Sequence, residues 1–283
     1  MQRKTSILAM ALLAACVSAN AADWSDNSIG YRYGTQFAEP FNNQDIAKHI
    51  VSFTHVSGYK YGTNFFTADY LLSDKKDPVG PGSNNGAQEI YAVYRHTLDL
   101  GKVSGKDLKF GPIRGFGFTT GFDLNTKDDA GYNSRKRMLV VGPTVMLDVP
   151  GFLNVSLLQL WESNAPHVKH GPSVSRYEYD PHPMLNLTWG IPIASTRLTF
   201  SGYANFIASK GKDEFGAETK AETNIDMALM YDASSHVGLA KKNAFQVGIG
   251  YQYWKNKFGN DHKGPAGQGA FAKTPMLRAE YHF

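Results

Sequence analysis

The sequence predicts an all-β chain: a closed antiparallel transmembrane β-barrel of about 12 strands, with long extracellular loops and mostly short periplasmic turns. Three observations carry that expectation. They are an export signal at the N-terminus, apolar/polar alternation at every second residue along the rest of the chain, and a C-terminal strand that ends on an aromatic residue. Strand side chains point to opposite faces in turn, so a sheet with hydrocarbon outside and water inside reads apolar, polar, apolar.

The first 21 residues stand apart. Gln2-Arg3-Lys4 form a basic start, residues 7–15 a short apolar stretch, and Ala19-Asn20-Ala21 an A-x-A cleavage pattern. That order is a secretory signal, and its apolar run is too short to cross a bilayer as a helix. The expected division is a cleavable signal peptide at 1–21 and one barrel domain at 22–283. Leu13-Ala14-Ala15-Cys16 also fits a lipoprotein-processing pattern. Cleavage after Ala21 is favoured over cleavage at Cys16, because a barrel is held by its own outer surface and needs no acyl anchor. Cys16 is the single cysteine, so the processed chain has no disulfide. Export permits that, since oxidising compartments allow disulfides without demanding them.

Charge and hydropathy exclude two classes. The 29 basic and 25 acidic residues nearly cancel, and losing Arg3 and Lys4 with the signal brings them closer still. No basic excess marks a nucleic-acid binder. No stretch after Ala21 approaches 18 consecutive apolar residues, which excludes helical spans.

The strands follow in order. Residues 28–35 and 48–59 open the series. In 63–72, Phe66, Ala68, Tyr70 and Leu72 oppose Phe65, Thr67 and Asp69. In 88–98, Ile90, Ala92 and Tyr94 oppose Glu89, Tyr91 and Arg95. Strands at 113–123, 138–149, 152–161 and 184–191 are less regular. In 196–208, Leu198, Phe200, Ala204 and Phe206 oppose Thr199, Ser201, Tyr203 and Asn205. In 223–232, Ile225, Met227, Leu229 and Tyr231 oppose Asn224, Asp226 and Asp232. In 244–254, Phe245, Val247, Ile249, Tyr251 and Tyr253 oppose Gln246, Gln252 and Trp254. The last strand sets Leu277, Ala279, Tyr281 and Phe283 against Met276, Arg278, Glu280 and His282. A C-terminal Phe preceded by apolar residues at every second position matches the signal read by the barrel-assembly machinery, making that machinery an expected partner through Phe283.

Connections alternate in length, as barrel connections do. Residues 59–62 and Val149-Pro150-Gly151 are tight turns. The polar stretches 36–47, 73–87, 125–137, 162–177, 209–222 and 256–273 are expected as long loops. Asp77-Pro78-Val79-Gly80-Pro81-Gly82 is a run of turn formers that no strand holds. The connections 99–106 and 233–243 are longer than periplasmic turns usually are.

With the apolar face toward lipid, the opposite face points into the lumen. The expected lining is Arg32, Phe65, Asp69, Glu89, Tyr91, Arg95, Asp123, Tyr203, Asn205, Asp226, Gln252, Trp254, Arg278 and Glu280. Such charges can simply pair across strands and brace the wall. As a solute path, both charge signs mixed with rings suit a neutral solute: rings stack on a flat base or sugar while carboxylates and amides bind hydroxyls. Tyr31, Tyr33, Tyr70, Tyr94, Tyr231, Tyr251 and Tyr281 are expected in the interfacial girdles.

Enzyme chemistry finds no foothold. No Gly-x-Ser-x-Gly elbow, His-Glu-x-x-His, Walker or Rossmann pattern is present. His167-Val168-Lys169-His170 and His182 lack carboxylate or cysteine support at ligand spacing, so they are read as loop residues rather than a metal site. No cofactor is expected.

Three short segments carry a family likeness. Asp107-Leu108-Lys109-Phe110-Gly111-Pro112 leads into the aromatic and glycine-rich stretch 116–123. Trp24-Ser25 precedes the Gly/Tyr-rich stretch 29–34. Leu147-Asp148-Val149-Pro150-Gly151 is a strand entering a Pro-Gly turn. Together they resemble the Tsx-like nucleoside-specific channel-forming family of outer-membrane proteins. The resemblance implies a narrow monomeric barrel in the bacterial outer membrane that passes nucleosides by passive diffusion, with loops that phages or colicins exploit. No residue role is carried over from it. A surface receptor or adhesin whose barrel displays its loops is the alternative. Outer-membrane lipid and a small polar solute are the other expected partners.

Overall fold

The computed structural model describes residues 22–168 and 174–283. The expected signal peptide at 1–21 with Cys16, and Lys169 and His170, lie outside the described residues. Alternation becomes strand wherever it is read in the sequence. The strands are β1 Trp24–Glu39, β2 Asn42–Tyr59, β3 Gly62–Ser73, β4 Gln88–Asp99, β5 Ile113–Asp128, β6 Tyr132–Asn133, β7 Arg135–Leu147 and β8 Phe152–Asn164. They continue with β9 His167–Val168, β10 Tyr177–Glu178, β11 His182–Pro192, β12 Leu198–Ile207, β13 Glu222–Asp232, β14 Phe245–Lys255 and β15 Phe271–His282. β6, β9 and β10 are two-residue pieces over one end. The other twelve pair antiparallel with their neighbours around the sheet. The ring closes where β1 meets β15, from Ser28 opposite His282 to Tyr33 opposite Leu277. The fold is a closed twelve-stranded antiparallel β-barrel.

Closure separates the two faces. Ile29, Val51, Leu139, Leu157, Phe200, Ile249 and Leu277 are large apolar side chains left exposed on the outside. A closed sheet satisfies every backbone group in its own ladder, which hydrocarbon requires. The apolar outer belt and the sealed ladder make this a bacterial outer-membrane barrel. The end carrying both termini is then periplasmic.

The interior holds two apolar clusters, Phe37, Ile46, Ile50 and Met276 on one wall and Val140, Leu158, Leu160 and Met184 on another. Between the strands runs a ladder of hydroxyls: Thr97 to Thr119 at 2.8 Å, Thr119 to Thr144 at 2.6 Å and Thr144 to Ser156 at 2.8 Å. Thr144 is one of the two inner members and is buried. Thr144→Val keeps the shape and leaves two buried hydroxyls each short of a partner. It is expected to cost about 1–3 kcal/mol, read as a lower urea midpoint for the folded band on a heat-modifiability gel.

Strand ends and loops differ from the sequence reading in one consistent way. Residues 36–47 are not a long loop: β1 and β2 run on to a two-residue turn at Pro40 and Phe41, with Glu39 opposite Asn42. β2 has 18 residues, whereas about 9–11 span the hydrocarbon, so this hairpin projects past the bilayer. Likewise β5 extends to Asp128, β7 begins at Arg135 and β8 reaches Asn164. Above the lipid both faces of a strand meet polar surroundings, so alternation fades while the ladder continues. On the periplasmic side the longer connections carry structure. Leu100–Ser104 is a short helix capped by the Asp99 side chain, and Ser234–Val237 is a 3-10 turn.

All seven girdle tyrosines face outward, but only Tyr70, Tyr231 and Tyr281 lie within three residues of a strand end. The Tyr94 hydroxyl, in mid-strand, donates to Asn64 Oδ1 at 2.8 Å. Tyr59 and His96 stack beside Asn64.

Candidate functional site in the lumen

Ion pairs between non-adjacent strands identify the inner face. Arg32 on β1 reaches Asp226 on β13 at 3.7 Å, although β14 and β15 separate those strands in the sheet. Such a contact passes through the interior. Counting alternate residues from Arg32 and Asp226 through the cross-strand registers puts all fourteen expected lining residues on this face.

The middle layer is built from β1, β3, β13 and β15. Arg32 is hydrogen-bonded to Asp69, and Arg278 to Asp226. Ser52 Oγ donates to Asp69 Oδ1 at 2.7 Å. Tyr203 and Gln252 stand in register with Asp226 on either side. Beside this layer Arg95 pairs with Asp123, whose other oxygen accepts the Tyr91 hydroxyl at 2.8 Å. Phe65, in register with Arg95, is exposed. Glu280 lies toward the periplasmic mouth beside His282, which also holds Asp26 at 2.6 Å.

Nearer the extracellular side a second layer forms around Glu39. Its carboxylate meets Lys48 Nζ at 2.5 Å, Lys257 Nζ at 3.0 Å and Lys127 Nζ at 3.6 Å. Lys127 also pairs with Asp77 at 2.9 Å, and Lys48 lies 4.0 Å from Glu89. Asn125 Nδ2 donates to Glu89 Oε1 at 2.5 Å. The opposite wall has Glu162 between Lys210 at 2.8 Å and Lys136 at 3.2 Å. There Trp254 Nε1 donates to Glu222 Oε1 at 2.5 Å.

Each layer is close to charge-balanced. Three arginines face three aspartates in the middle, and the lysines and carboxylates above them are similarly matched. Local pairing removes the single-sign field that ion selectivity needs.

Besides the loop after β3, which brings Asp77 onto Lys127, two more loops fold inward rather than away from the membrane. Lys210, in the loop after β12, is buried against Glu162 and over the Tyr179 ring at 4.2 Å. The loop after β14 turns sharply at Asn256, Phe258 and Gly259, with φ of 54°, 60° and 83°. For a bulky Phe this left-handed backbone is costly and persists only where its surroundings hold it. The holding contacts are visible: Lys257 reaches Glu39 and the Ala38 carbonyl at 2.8 Å. Phe258 packs edge-on to Trp254 at 4.8 Å with the Lys136 ammonium 4.1 Å from its ring centre. Burial pushes both the Lys210 and the Lys257 ammonium below the ordinary lysine value, opposed by Glu162 and Glu39 respectively. Above them Glu214 accepts from Tyr132 and, at 2.6 Å, from Tyr179, and burial raises both phenols.

Between these walls lies a cavity of about 60 Å³. Tyr91, Arg95, Asp123, Asn205 and Trp254 of the expected lining border it. So do residues the sequence reading placed in loops or left out: Lys136, Glu162, Lys210, Asn224 and Phe258. The buried Asn224 Oδ1 finds no partner among the described residues.

Known proteins can now be set beside this geometry. No family model matches the chain, and no curated protein matches it. Solved structures do. The translocator domain of the autotransporter NalP from Neisseria meningitidis is similar at 14% identity and a TM-score of 0.40, over 99% of this chain and 96% of that one. The beta domain of the Bordetella autotransporter BrkA is similar at 11% identity and a TM-score of 0.43, over 92% and 99%. OccK5 from Pseudomonas aeruginosa is similar at 11% identity and a TM-score of 0.32, over 94% and 99%.

Of the histidines singled out in the sequence, His167 lies in β9 and His182 opens β11. His182 Nδ1 is bound to the Asp180 carbonyl at 2.8 Å. Among the described residues no three His, Cys, Asp or Glu side chains are grouped to hold a metal.

Proposed function

We propose that the barrel is a gated outer-membrane channel for passive diffusion of small, neutral, hydrogen-bonding solutes with a flat face, nucleosides being the class that fits. The observation that carries this reading is the local charge balance of a lumen that also presents rings and amides around one cavity. A charged solute meets no compensating field there, whereas a base or sugar finds Trp254, Phe258 and Tyr91 for stacking. Asn205, Asn224 and Glu162 offer hydrogen bonds to its polar edge. The likeness of residues 107–112 and the start of β1 to the Tsx-like family supports the nucleoside assignment.

The inward loop after β14 supports reading the channel as gated. A cavity of about 60 Å³ is far below the ~300 Å³ at which small-molecule pockets begin. Passage therefore needs the inward loop after β14 to withdraw. Replacing residues 257–264 by a short Gly/Ser linker is expected to raise nucleoside entry several-fold in a liposome-swelling assay. Trp254→Ala in that background should slow nucleosides more than a sugar of similar size. Equal rates for the loop-replaced and intact barrels would remove the gate, and no flux through either would remove the channel reading.

The alternative, a receptor or adhesin that displays its loops, draws on that closure too. If it holds, deleting residues 74–87 abolishes partner binding while no loop deletion creates flux.

A further inference from the structure

The outer wall carries a cluster of arginines that the lumen does not use. Lys136 points inward to Glu162, so its neighbours Arg135 and Arg137 on β7 point outward, and both are exposed. Exposed Arg176, leading into β10, joins them: its Nη1 donates to Ser163 Oγ at 3.0 Å and to the Arg135 carbonyl at 3.3 Å. Ser163 lies opposite Arg137 in the β7–β8 ladder, so the three side chains share one face. Burial lowers the Arg176 guanidinium below its ordinary value, and the two neighbouring arginines lower it further. Glu178 is in register with Ser163, yet no ion pair joins it to the three arginines among the described residues.

Their height on the wall is specific. Below Arg137 the outward positions of β7 are Leu139, Val141, Pro143, Val145 and Leu147. Eight rises of ~3.4 Å tilted by about 40° give a band of about 21 Å, close to the apolar belt of an outer-membrane barrel. Leu139 is opposite Trp161, an exposed ring at the upper edge of that belt. Arg137 and Arg135 are the next two outward positions, at the level where hydrocarbon gives way to headgroups on the extracellular side. Like charges gathered there repel one another and favour a shared anion, and guanidiniums bind phosphate through two parallel hydrogen bonds.

We infer that Arg135, Arg137 and Arg176 form a binding site for the phosphate of a phosphorylated glycolipid in the outer leaflet, docked on the outside of the barrel with its acyl chains along Leu139 and Trp161.

The test uses the full processed chain in detergent, with native mass spectrometry reading lipid adducts. The probes are bisphosphorylated lipid A, its dephosphorylated form and inorganic phosphate as competitor. The expected result is an adduct with the phosphorylated form only, not displaced by equimolar inorganic phosphate. The R135Q/R137Q/R176Q variant, checked as folded by heat-modifiability, should bind at least about tenfold more weakly. Equal adducts with both lipid forms on the unaltered protein would overturn the site without any variant. Displacement by inorganic phosphate would overturn the lipid as its occupant, and so would undiminished binding by the folded variant.

Discussion

Glu39→Ala should open the barrel and weaken it at once. Glu39 sits at the end of β1, buried, with Lys48, Lys257 and Lys127 gathered on its carboxylate. Removing it leaves three ammonium groups sharing Asp77, Glu89 and, at 3.4 Å from Lys127, Asp129, in a site with little water. Breaking a buried ion pair by deleting one partner typically costs about 3–5 kcal/mol, because the remaining charge is stranded. The barrel ladder is untouched, so the chain still closes. Lys257 is different: Glu39 and the Ala38 carbonyl are its ties to the wall, and its neighbour Phe258 depends on such ties to stay in a left-handed backbone. With Glu39 gone only the Ala38 carbonyl is left to hold Lys257, and the loop after β14 is expected to leave the lumen. Planar-bilayer recordings should show single-channel conductance rising several-fold, alongside a clearly lower urea midpoint of the folded band. Glu39→Gln, which keeps a hydrogen-bond acceptor, should fall between. Combining Glu39→Ala with Lys257→Met removes one stranded cation and should restore part of the stability while leaving the pore open. A low midpoint with unchanged conductance would show that the loop is held by other contacts.

Asp226→Ala is expected to have the next largest effect, at a different level of the lumen. Asp226 is almost fully buried and lies between Arg278 and Arg32. It thereby ties β13 to both β15 and β1, the two strands whose pairing closes the ring. Its loss leaves two guanidiniums to the single carboxylate of Asp69, again about 3–5 kcal/mol by the stranded-charge argument. The second consequence is electrical. The middle layer changes from balanced to positive, so the reversal potential in a salt gradient should move toward anion preference. Asp226→Asn should shift selectivity as far while costing less stability, since the amide still accepts a hydrogen bond. The double variant Asp226→Ala with Arg278→Ala restores the balance and should return selectivity most of the way. Selectivity unmoved by either single variant would mean that ions do not pass this layer.

Within the hydrocarbon band one face of each strand must be apolar and the other need not be. That constraint repeats at every second residue, and so β12, β13 and β14 are legible nearly to their ends, and β15 (Phe271–His282) from Met276 onward. It also sorts Arg32, Asp69, Asp226 and Arg278 to the inner face without any structure. Nothing in a linear pattern says that Arg32 meets Asp226, because that pairing depends on closure bringing β1 and β13 across from one another.

The second layer was hidden for a different reason. Glu39, Lys127, Lys136 and Glu162 stand where strands rise above the bilayer and both faces are polar. The alternation that betrays a strand is absent there, and such stretches read as loops. Lys210, Lys257 and Phe258 do lie in loops, and their inward fold has no periodic signal at all. A lone apolar Phe258 between Lys257 and Gly259 was the one cue available.

The amino-acid order by itself determined the class of the molecule, its strand series and which side chains face water, because the solvent on each face acts on residues one at a time. The tertiary structure alone decided which charges neutralise which inside the lumen, and that the loop after β14 folds into it. Those outcomes depend on distances between residues far apart in the chain, and only the closed ring sets them.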